Sequence, residues 1–222
     1  MQPMKEVLKT LNDHGVGTYD EKKSHFIACS APVSSEEEAT AFVRDMRGWY
    51  KKAHHYVYAY IVYDEEGSLI SRYTDDREPQ GTAGIPVLGV FQNQNIENAA
   101  IVVARYYGGI PLGAAGLTRA YRKVAGMAVR GSGTVYKVLY DELFITVDYP
   151  MYNNVRYLLH SNTRADLMIL KHKIIQEEFS DEIRIHMYTA VGDTKKMCEL
   201  LTEAALGRIS IRIEEKKGRY SI

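Results

Sequence analysis

Residues 72–123 read RYTDDREPQGTAGIPVLGVFQNQNIENAAIVVARYYGGIPLGAAGLTRAYRK, and the rest of the chain is organised around them. Ala99 to Ala104 is an unbroken apolar run containing three β-branched residues. Such a run marks a strand covered on both faces, so helices are expected on either side of its sheet. Tyr107-Gly108-Gly109 and Pro111 end it. A helix follows from about Ala114 to Val129. At about 100° per residue, Leu117, Ala120, Tyr121, Val124 and Ala128 fall on one side of that helix, and Arg119, Arg122, Lys123, Gly126 and Arg130 on the other. Gly131-Ser132-Gly133 closes it. On the other flank, Glu78-Pro79-Gln80-Gly81 is turn chemistry, and Thr82 is placed to cap a short helix through Val87 to Phe91, with Pro86 tolerated only near its start.

Working toward the N-terminus, HHYVYAYIVYDEEGS is a strand with two different faces ending in a polar turn. Val57, Ala59 and Ile61 alternate with Tyr56, Tyr58 and Tyr60. Before it, Ser34 with Glu37 has capping-box spacing, and Ala39, Phe42, Val43, Met46 and Trp49 recur at helical intervals. GVGTYDEKKSHFIACSA reads as strand, turn, strand. Residues 1–13 are either a short helix or an irregular lead-in.

Beyond about residue 138 the texture changes. Leu143, Ile145 and Val147 alternate as a strand, and Pro150 opens a helix carrying Met151, Val155, Leu158 and Leu159. Strands are expected near Leu167–Gln176 and Ile183–Val191. A helix capped by Asp193 or Thr194 carries Met197, Leu200, Leu201 and Ala204, and Ile209, Ile211 and Ile213 form a last strand before a basic tail. The order β-α-β-β-α-β is the split βαβ, or ferredoxin-like, motif. The expected fold class is therefore α+β in two domains, residues 1–137 and 138–222.

Composition excludes several functions. Lys plus Arg and Asp plus Glu are balanced at 28 each among 222 residues, so any polyanion must be met by a local patch. Cys29 and Cys198 show no ligand spacing and read as reduced thiols. The N-terminus lacks the apolar core of a signal peptide, and no run approaches the ~18 apolar residues of a membrane span. A cytoplasmic protein without membrane contact is expected. Nucleophile elbows, Walker loops and zinc spacings do not occur, so neither a cofactor nor a metal site is expected.

The candidate site is the pair of glycine turns and what they frame. The Gly113-Ala114-Ala115-Gly116 turn leads into a helix whose free amides and dipole suit an anion, and Arg119, Arg122 and Lys123 line the outer face of that helix. From Ile101 to Lys137 there are six basic residues and no acidic one. Phosphate or nucleic-acid recognition is one reading; a solvated basic face paired with Asp75, Asp76 and Glu78 is the other. Those acids with His54 or His55 make a weak metal set, since adjacent aspartates on an extended segment point apart. They pair as readily with Arg72, Arg105 or Arg119. Tyr56, Tyr58 and Tyr60 form either a base-stacking platform or a packed face beneath a helix, and packing is preferred.

Gly81-Thr82-Ala83-Gly84-Ile85-Pro86, Ala104-Arg105-Tyr106-Tyr107-Gly108-Gly109 and Leu112-Gly113 through Gly116-Leu117-Thr118-Arg119-Ala120-Tyr121 resemble the signature of the YigZ/IMPACT family. Ser24 to Ile27 and His54 to Tyr60 match its flanking motifs. The resemblance implies a first domain like domain IV of elongation factor G, a ribosomal-protein-like β-α-β fold, and an appended ferredoxin-like domain. In eukaryotic relatives the homologous domain takes part in translational control. Carried over, the implied surface comprises Asp75, Asp76, Glu78, Gly81, Thr82, Arg105, Tyr106, Gly108, Gly109, Gly113, Gly116 and Arg119; Arg72, Arg122 and Lys123 extend it on charge. Two positions depart from the pattern. Arg77 stands where the family usually has glycine, and Pro111 where lysine is frequent. The function expected is non-catalytic binding of RNA, the ribosome or a translation-associated protein. The alternatives are a hydrolase-like enzyme using Asp75, Asp76 or Glu78 on a small phosphorylated or peptidic substrate, and a protein-interaction module.

Overall fold

The structure, a computed structural model, describes residues 7–64, 66–160, 170 and 172–221, with the last seven described by backbone alone. The chain divides into two compact units, the first ending at Tyr136 and the second running from Lys137 on.

In the first unit, β2 (Gly15–Glu21), β3 (Ser24–Pro32), β4 (His55–Tyr63), β5 (Leu69–Thr74) and β6 (Ala99–Tyr106) form an antiparallel sheet in the order β2-β3-β6-β4-β5. Helix α1 (Glu36–Trp49) covers one face; α2 (Gly84–Gln92) and α3 (Ala114–Ser132) cover the other. Central β6 has Ala99 to Arg105 buried throughout, as a strand covered on both faces requires. Val57, Ala59 and Ile61 join Phe26, Phe91, Leu117 and Tyr121 in the larger core, while Tyr60 and Val62 pack with Phe42, Val43 and Met46 of α1. Helix α3 lies so close to β2 that a Cβ on Gly17 would come within 2.7 Å of the Ala128 amide, so only glycine permits the contact.

Several expectations are corrected. Val7–Leu11 is a strand, β1, whose Leu8 and Leu11 are buried; residues 1–6 of the proposed lead-in lie outside the described residues. Strand β5 gave no periodic signal because it is an edge strand with no buried side chain. The cap of α1 is Ser35, whose side chain accepts from Glu38 N, one residue later than the spacing suggested. Trp49 closes α1 and is 72% exposed rather than packed, since the chain turns off at Tyr50. Tyr56, Tyr58 and Tyr60, by contrast, follow the preferred reading of a packed face rather than an open platform. Tyr58 and Tyr60 stack at 6.0 Å, and the Tyr60 hydroxyl donates to Glu36 on α1.

In the second unit, β7 (Thr134–Val147), β8 (His172–Phe179), β9 (Ile183–Ala190) and β10 (Ile209–Ser221) form an antiparallel sheet in the order β10-β7-β9-β8. Helices α4 (Tyr149–His160) and α5 (Thr194–Ala204) bury Val155, Leu158, Met197 and Leu201 against Leu143, Ile145, Ile183 and Ile185. This is the split βαβ arrangement the element order predicts. The expected Leu167–Gln176 strand is β8 from His172; residues 161–169 lie outside the described residues. Much of the basic tail continues β10. Among the described residues no helix is long and apolar enough to cross a membrane.

Candidate nucleic-acid interface

The acidic turn between β5 and α2 faces inward. Asp75 Oδ2 accepts from Gly81 N at 2.8 Å, and Oδ1 from Ala83 N at 3.0 Å and Gly84 N at 2.8 Å. It thereby caps α2, whose opening amides have no helical acceptor. Thr82, expected in that role, instead donates its hydroxyl to Pro79 O at 2.6 Å. Asp76 Oδ2 accepts from Tyr56 N at 2.6 Å, and His55 Nδ1 donates to the Asp76 carbonyl at 2.8 Å. Each aspartate is thus spent on backbone geometry.

Glu78 meets Arg105 in a buried pair. Their side chains are each 4% exposed, with Oε1 and Nη1 2.5 Å apart. Tyr121 donates its hydroxyl to the same oxygen at 2.7 Å, and Arg105 Nη2 donates to Ser24 Oγ at 3.2 Å. The guanidinium lies over both Phe26 and Tyr107, 5.2 and 5.3 Å from the ring centroids. Burial first, and then the Glu78 charge, hold the Tyr121 phenol far above its usual range, so it is a fixed neutral donor. This cluster ties the acidic turn, the end of β6, the start of β3 and α3 together. Arg105 is therefore removed from the phosphate surface: it neutralises Glu78 instead.

The outward cations lie on α3. Arg119, Arg122 and Lys123 are exposed, and among the described residues none has a carboxylate at ion-pair distance. Lys123 Nζ sits 4.0 Å over the Tyr19 ring. Gly113, the N-cap at φ +74°, brings no side-chain cap to the first turn of the helix. Gly116 is buried in that turn.

The remaining candidates divide in the same way. Arg72 is on the exposed edge strand, with Nε 3.6 Å from Glu36 Oε1. The Tyr106 hydroxyl donates to Lys51 O at 3.2 Å, and burial raises its phenol. Gly108 is needed sterically, because a Cβ there would lie 1.9 Å from Lys23 O; Gly109, at φ +82°, is exposed. The departure at Arg77 is resolved too: it takes φ +70°, so the turn does require the left-handed conformation. Its Nη2 donates to His54 O at 2.8 Å. Ser24, His55 and Tyr121 join this cluster; the sequence offers His55 only as a weak metal ligand, and Ser24 and Tyr121 stand in the family motifs without a site role, because their contacts join elements far apart in the chain.

The fold and site define a two-unit α+β protein whose first unit turns its acids inward and its α3 cations outward. The Impact N-terminal domain family model matches residues 22–129. The chain is 31% identical over 191 residues to IMPACT family member YvyE of Bacillus subtilis, covering 86% of this chain and 83% of that one. It is 35% identical over 138 residues to IMPACT family member YigZ of Escherichia coli, covering 62% and 68%. Protein IMPACT of Homo sapiens is 32% identical over 103 residues, which are 46% of this chain and 32% of the human one. A crystal structure described as that of a hypothetical protein matches with a TM-score of 0.61 at 26% identity, covering 96% of this chain and 100% of the other. The chain belongs to the IMPACT family.

Proposed function

We propose that the protein binds structured RNA or the ribosome, as a non-catalytic factor linked to the regulation of translation in the cytoplasm. The observation that carries this reading is the outer face of α3, where Arg119, Arg122 and Lys123 are exposed without a carboxylate partner among the described residues. Unpaired guanidinium groups beside an uncapped helix start suit phosphate oxygens. Asp75, Asp76 and Glu78 support it by subtraction. All three are committed to internal donors, which leaves none poised as an acid or base and none screening the cations.

The test is binding of the full-length chain to ribosomes and to structured RNA over a salt series. The double variant Arg119→Glu/Arg122→Glu should abolish binding and remove most of its salt dependence. Unchanged affinity would sink the reading.

A further inference from the structure

A second set of cations lies in the turns and connections at one end of the first sheet, on residues other than those of α3. Among the described residues eight non-glycine residues have positive φ, and four of them are basic: Lys22 at 46°, Lys23 at 64°, Lys52 at 64° and Arg77 at 70°. Asparagine accepts this conformation readily, but lysine and arginine do so at a backbone cost that glycine avoids. All four are exposed. Retaining a cation four times where a glycine would be less strained points to a use for the charge.

These residues share one surface. Lys22 and Lys23 form the β2–β3 turn, and the Lys23 carbonyl packs on Gly108 at the exit of β6. Beside Gly108, the Tyr107 amide donates to His54 Nδ1 at 3.1 Å, and the His54 carbonyl accepts from Arg77. Tyr106 reaches across to Lys51 O, the residue before Lys52. Two residues before Lys51 stands Trp49, 72% exposed. Neighbouring acids are otherwise engaged: Asp20 bonds His25 at 2.6 Å, Glu21 accepts from Tyr19, and Asp75, Asp76 and Glu78 face inward. Among the described residues only Asp76 comes within ion-pair distance of a cation of the set, 3.8 Å from Arg77.

We propose that this end of the sheet binds single-stranded nucleic acid, with a base stacked on the Trp49 indole and phosphates held by Lys22, Lys23, Lys52 and Arg77. The proposal shares a ligand class with the α3 reading and rests on it for that alone; its residues are different. An exposed indole followed along the chain by Lys51 and Lys52, with exposed Lys22 and Lys23 at the same end of the sheet, is the combination that single strands require. Trp49 with Tyr107 and Ile110, the latter two each about two-fifths exposed, is too small an apolar face for a membrane surface.

Trp49 is the only tryptophan, so intrinsic fluorescence of the full-length chain reports directly on it. Titration with an oligouridylate of about 12 nucleotides should quench that emission saturably, and Trp49→Ala should weaken binding, read by anisotropy, roughly tenfold. The triple variant Lys22→Gly/Lys23→Gly/Lys52→Gly should bind more weakly, with a salt slope reduced by about 2, and yet melt at a higher temperature because the strain is gone. A triple variant that melts higher and binds unchanged overturns the proposal. Quenching by phosphatidylserine vesicles but not by oligouridylate also overturns it. No quenching, with structured-RNA binding still lost in Arg119→Glu/Arg122→Glu, overturns this site and leaves the α3 reading standing. Quenching that persists in that double variant supports this site independently.

Discussion

Glu78 shows how far a residue's role departs from its composition class. As part of an acidic cluster beside glycine turns it invites a catalytic or metal-binding reading, yet it lies beneath the surface as the counter-charge of Arg105. A buried pair adds little net stability over apolar packing, whereas removing one member strands the other charge. Glu78→Ala is therefore expected to lower unfolding free energy by about 3–5 kcal/mol. The double variant Glu78→Gln/Arg105→Met should recover part of that loss, measured by urea denaturation. A loss in Glu78→Ala no larger than that of an ordinary surface substitution would show that the pair is not buried as described. The partners are 27, 43 and 81 residues apart along the chain, so spacing alone could not reveal them.

At the scale of elements, helix α2 depends on a residue outside it. Asp75 accepts three amides around its start, and without that acceptor the first turn has no protein partner for them. Asp75→Ala should cost about 1–2 kcal/mol and speed hydrogen exchange at Gly81, Ala83 and Gly84 selectively. Unaltered exchange at those amides would refute the capping role. Helix α3 was legible from its phase alone: every residue assigned to its apolar side is buried, and Arg119, Arg122, Lys123 and Arg130 are exposed. Strand β5 was not legible, because an exposed edge strand lacks the alternation that burial imposes.

Across the whole molecule, buried phenols and thiols together govern stability at alkaline pH. The hydrogen bond to Cys29, with burial, raises Tyr50 to about 12, and burial raises Tyr140 to about 12; burial pushes Tyr60 and Tyr121 higher still. A folded-state pKa above the unfolded value of 10.0 gives stability that is complete below that pH and lost as pH rises through the folded value. The urea midpoint should therefore begin to fall above about pH 9, where burial of the Cys29 and Cys198 thiols first opposes ionisation, and more steeply above about pH 10, where the tyrosines join; the second fall should be gentler in Tyr121→Phe. An equal slope in that variant would show that its phenol ionises freely in the folded state. The sequence by itself determined which strand is buried on both faces, which side of α3 meets the core, and that a split βαβ unit follows. Those properties are periodic, and burial imposes its period on the residues themselves. Only the tertiary structure decided that Asp75, Asp76 and Glu78 turn inward, that Arg105 leaves the surface, and that Lys22, Lys23, Lys52 and Arg77 take the left-handed conformation. Strand register and turn conformation choose those neighbours from across the chain, and neither is written in local pattern.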